Sequence, residues 1–70
     1  MRYYKKQLPG GTWKEITGTA MINVINAHFD ETASTNWDGS RKPSRQQVAD
    51  YIHSGKILHT YTAEYKAEEE

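Results

Sequence analysis

Three histidines and nine carboxylates are the groups in this chain that could move a proton, and a tryptophan beside three cations is the group that could grip a ligand. His28 with Asp30 and Asp50 with His53 are the two local acid–base pairs. General acid–base catalysis needs such a pair aimed at a substrate. Three apart on a helix, Asp50 and His53 meet on the surface instead, and His28 falls within an apolar helical stripe, where a partly buried structural histidine is expected. Serine and threonine hydroxyls are plentiful, but no G-x-S-x-G turn is present and there is no cysteine to give a thiolate. Metal ligation has no H-x-x-x-H or C-x-x-C spacing, and the nearest candidates, His28 with Asp30 and His53 with His59, do not converge in the sequence. "LPGGTWK" has glycines and a lysine but not the G-x-x-x-x-G-K-[ST] spacing of a phosphate loop, so it reads as a hairpin turn. A chain of 70 residues can hardly enclose a pocket of about 300 Å³ and keep a core as well. The expectation is a protein that is not an enzyme, with no cofactor and no metal.

Binding is the chemistry that remains. "SRKPSR" sets Arg41, Lys42 and Arg45 beside Trp37 and just ahead of a helix start, where backbone N–H groups favour an anion. One use of this cluster is single-stranded nucleic acid, with a base stacked on the indole and the cations on the backbone. The other is a protein interface, where large aromatics and arginine carry most of the energy. Trp37 could equally fold back as a lid over a core too small to close itself. Tyr3 and Lys5, on the first strand, would extend the contact surface, since Tyr3, Tyr4, Tyr61 and Tyr65 all fall on expected strands and could make one sheet face aromatic.

Nine basic against nine acidic side chains give a formal net charge of zero, which argues against a protein held to nucleic acid by counterion release. The charges are unevenly spread: Arg2, Lys5, Lys6 and Lys14 open the chain with no acid among them, and Glu64, Glu68, Glu69 and Glu70 crowd its end. No apolar run reaches the roughly 20 residues needed to span a bilayer, and the amino terminus lacks a signal-peptide core. A cytoplasmic protein without membrane contact is expected. Its core can supply only a few kcal/mol of net stability, with neither disulfide nor metal to add to it, so a homodimer would also be stabilising.

These side chains must be positioned by a small set of elements. "RYYKKQLPGGTWKEIT" alternates like a β-hairpin, with Pro9 and Gly10 suited to a type II turn. Thr17 is placed as an N-cap for an amphipathic helix over 18–30, whose stripe is Met21, Ile22, Val24, Ile25, His28 and Phe29. Residues 31–44 then read as a long polar loop. Ser44 and Gln47 form an S-x-x-Q capping box for a second helix over 45–54, which Gly55 would end in a left-handed conformation. "KILHTYTAEYK" alternates as one strand. Together they predict a single α+β domain over 1–70, of order β-β-α-α-β: a three-stranded antiparallel sheet with two helices packed on one face, and a solvated acidic tail at 67–70.

The opening "MRYYKKQLPGGTWKEIT" is similar to small accessory proteins of bacterial phages and mobile elements. The resemblance implies a protein that acts by adhering to a host enzyme or a defence complex, as anti-CRISPR-like inhibitors do. The leading expectation is therefore a small binding module that inhibits or modulates a host protein or nucleoprotein complex, anchored by Trp37. The alternative is a nucleic-acid binder that uses Trp37 with Arg41, Lys42 and Arg45.

Overall fold

A computed structural model describes residues 1–37 and 42–69. The elements run β1 (Arg2–Gln7), β2 (Trp13–Ile16), α1 (Gly18–Ala27), α2 (Phe29–Asn36), α3 (Arg45–His53), β3 (Leu58–His59) and β4 (Ala63–Glu68). The class is α+β, and the described residues form four strands in the order β2-β1-β4-β3 rather than three, and three helices rather than two. All neighbouring strands are antiparallel.

Local chemistry accounts for the first half. The β1–β2 hairpin closes through the Gly11 N–H, which donates to the Gln7 carbonyl at 2.9 Å, with Gly10 at φ +78° and the Leu8–Pro9 peptide cis. This is a wider turn than the expected type II, which would close on Leu8. A Cβ on Gly11 would collide with the Gln7 carbonyl oxygen, so the approach needs glycine. Thr17 caps α1 by accepting from the Ala20 N–H at 3.0 Å. The Ser44–Gln47 capping box opens α3, and Gly55 follows it at φ +90°.

The expected helix over 18–30 breaks at His28. That residue leaves helical geometry, at φ −113° and ψ 29°, and a new helix begins at Phe29 with Asp30 and Glu31 in its first turn, where negative charge is favoured. Residues 31–36 of the expected loop are therefore helical. The composition hides this, because α2 buries only Thr32 and Ala33 and is held mainly by polar bonds to a distant strand.

The expected last strand also divides. Thr60 makes a turn in which its N–H donates to the Ala63 carbonyl at 2.9 Å, while its hydroxyl accepts from the Ala63 N–H at 3.1 Å. A threonine turn of this kind needs neither glycine nor proline, so strand-like residues conceal it. The turn also swaps faces: Leu58 is buried and paired in register with Tyr65, whereas Ile57 and Tyr61 are exposed. At the other end, Ala67 is buried on β4 and Glu68 is still paired with Arg2, so the sheet runs into the expected tail.

The core lies on one side of the sheet. Met21 and Ile25 of α1 and Val48 and Ile52 of α3 meet Leu58, Ala63, Tyr65 and Ala67, with Tyr3, Ile16, Phe29, Trp37 and Tyr51 at the rim. Ile22, expected in the stripe, is exposed. The aromatic residues are divided rather than gathered: register puts Tyr3 with Ala67 on the covered side and Tyr4 with Lys66 on the far side, and Tyr61 lies in the turn.

Candidate binding surfaces

The two expected histidine–aspartate pairs are replaced by other contacts. His28 is exposed, with Nδ1 3.3 Å from Glu31 rather than beside Asp30. Asp50 accepts from Gln46 at 2.9 Å, and His53 instead meets the Tyr3 hydroxyl through Nε2 at 2.9 Å. His59 Nδ1 lies 3.0 Å from Glu64. Among the described residues no three His, Asp or Glu side chains could hold a metal ion, and no helix is long and apolar enough to cross a membrane.

The residues expected to bind a partner fall into separate clusters. Trp37 is half-buried at the end of α2, its ring centroid 4.8 Å from that of Tyr51 at a 50° tilt. The indole is thus both a lid on the core rim and part of the surface. The cation on that aromatic pair is Lys56, whose Nζ lies 5.3 Å from the Tyr51 ring. Lys42 and Arg45 gather instead around Phe29, at 5.2 and 4.6 Å from its ring, and Lys42 also bonds Asp30 at 2.9 Å. That bond and the lysine's charge hold the Asp30 carboxyl below the usual aspartate value. Phe29 and Trp37 stand eight residues apart, so at a helical rise of 1.5 Å about 12 Å of α2 separates the clusters. Arg41 lies outside the described residues. Neither Tyr51 nor Phe29 nor Lys56 stands out in the sequence as a site residue, since each acquires its role from the packing of α2 against α3.

Tyr3 and Lys5 belong to a third region. Tyr3 is half-buried against His53 with its ring 5.9 Å away. Lys5 Nζ lies 5.9 Å from the Tyr65 ring and faces Lys14 directly across β1 and β2. Like charges placed opposite each other destabilise a sheet. The two lysines line an open groove of about 570 Å³ with Gln7, Thr12, Glu15 and Ile16.

The far face of the same strands is balanced. Arg2 faces Glu68 and Lys6 faces Glu64 in register, the latter at 3.9 Å. Lys66 lies 4.6 Å from the Trp13 ring and 5.5 Å from that of Tyr4. Comparison with protein-family models, with curated proteins and with solved structures finds no match for this chain.

Proposed function

We propose that the protein is a non-enzymatic binding module that holds a protein or nucleoprotein partner along the surface where α2 meets α3. The observation that carries this reading is Trp37: a large, half-buried aromatic packed against Tyr51, whose ring also takes Lys56. Rigid, half-open aromatics with a neighbouring cation have the character of interface hot spots. Lys42 and Arg45, at the other end of α2, supply charge complementarity, which governs encounter rate more than affinity. The resemblance of the opening residues to phage and mobile-element proteins makes inhibition or modulation of a host complex the form of this binding.

Affinity capture from nuclease-treated native extract tests the reading. Trp37→Ala and the surface variant Lys56→Glu should each lose a partner that the parent protein retains, while keeping a cooperative thermal transition. A folded Trp37→Ala variant that still captures the partner would overturn it. The nucleic-acid alternative uses Trp37 with Arg41, Lys42 and Arg45, and it predicts affinity that falls steeply with salt. Oligonucleotide titration at two salt concentrations separates the two readings.

A further inference from the structure

The sheet has two outer strands, and they are not equivalent. At β3, the His59 N–H donates to Asn36 Oδ1 at 2.9 Å and the His59 carbonyl accepts from Asn36 Nδ2 at 2.8 Å, so α2 covers that edge. At β2, no described residue pairs with the outward side of Trp13–Ile16, and alternate N–H and C=O groups of an outer strand point away from the sheet. The groove lined by Lys5 and Lys14 runs beside this strand. Among the described residues the Lys14 side chain has neither an ion pair nor a hydrogen bond, and the only group on the Lys5 side chain is the Tyr65 ring.

We propose that the open edge of β2 takes an extended, carboxylate-bearing peptide segment of a partner protein as a fifth strand, with an acidic side chain directly opposite Lys14. Cross-strand pairing sets the preferred pattern. In an antiparallel addition, the residue facing Ile16 is apolar, that facing Glu15 is basic, that facing Lys14 is acidic and that facing Trp13 is aromatic. The carboxylate relieves the repulsion between Lys14 and Lys5 from the open side of the groove.

A second copy of this chain is a poorer occupant for a reason of symmetry. A two-fold axis that joins two β2 strands into one antiparallel sheet keeps both sets of helices on the same side and pairs residues that share a face. The two registers that overlap three of the four β2 residues then set Lys14 against Lys14 or Glu15 against Glu15. The same two charges that refuse a twin accept a partner of complementary pattern.

The test uses the peptide acetyl-Ser-Val-Lys-Glu-Tyr-Ser-amide, titrated to millimolar concentration into the isotope-labelled full chain, with backbone amide shifts as the readout. Shifts should concentrate on residues 13–16, and Lys14→Glu should weaken binding about tenfold, the scale of a lost charge-assisted bond. A peptide N-methylated at alternate backbone nitrogens keeps its charges but cannot complete a ladder, and it should not bind. Equal binding of the methylated peptide, no shift at millimolar concentration, or unchanged affinity in Lys14→Glu would overturn the proposal. So would a concentration-dependent dimer protected at β2, or an oligothymidine that displaces the peptide from the same amides.

Discussion

The outer strands β3 and β2 close the same sheet under opposite conditions. β3 is two residues long, lies over the core through the fully buried Leu58, and has its outward backbone groups bonded by Asn36 and approached to 2.8 Å by the Thr35 hydroxyl. β2 is four residues long, half its side chains are exposed, and nothing described covers it. The contrast teaches that helix α2, although almost devoid of apolar side chains, is a structural element of the sheet. It spends its polar residues on an edge, and no described residue covers the other edge.

Substitutions at both edges, and one titration, would break or sharpen this contrast. Leu58→Ala should have the largest effect, about 2–5 kcal/mol, which approaches the whole stability expected of so small a domain. Urea unfolding should find the variant largely unfolded at low denaturant, whereas the half-buried Ile16→Ala on β2 should cost about 1–2 kcal/mol. Asn36→Ala comes next at about 1–2 kcal/mol, because it strips two bonds from one strand residue. Amide exchange at His59 should quicken in that variant, and Glu15→Ala at the open edge should stay within about 0.5 kcal/mol of the parent. Unchanged exchange at His59 would mean that α2 does not seal β3.

Smaller and opposite in sign is Lys14→Glu, which turns a like-charge pair into an attractive one. Its melting temperature in low salt should rise, by the equivalent of about 0.2–1 kcal/mol, and the gain should shrink as salt is added. The slightest effect concerns Asp30, whose carboxyl is held low by the bond from Lys42 and by its charge. A lowered native pKa contributes stability that is fully present above the unfolded value, about 4, and is lost as pH falls through the lower native one. An NMR titration should find the Asp30 midpoint below the usual carboxylate range, and Lys42→Met should move it upward.

What could be read from the residues follows the range of the interactions involved. Thr17, Ser44 with Gln47, Gly10 and Gly55 act within four residues of themselves, and their signals marked two helix starts, a turn and a helix end. Helix α2 escaped because its support comes from residues 23 and 24 positions away, Asn36 and Thr35 reaching His59. The Thr60 turn escaped because a threonine hydroxyl takes the place of the usual glycine or proline. At the candidate site Trp37 stands out by composition alone, while its neighbour Tyr51, and Lys56 over the Tyr51 ring, come from tertiary packing. The opposed lysines 5 and 14 depend on the hairpin register, which the wider turn at Gly11 helps to set.

Asn36 has one further consequence. Its carboxamide offers His59 one acceptor and one donor, as a peptide group of a neighbouring chain would, and so ends the ladder with a counterfeit backbone unit. A ladder stopped at one end cannot hand its growth on from molecule to molecule, so any assembly built through it has a fixed stoichiometry. Growth of a ladder from copy to copy would need two open edges, and Asn36 closes one of them on each molecule.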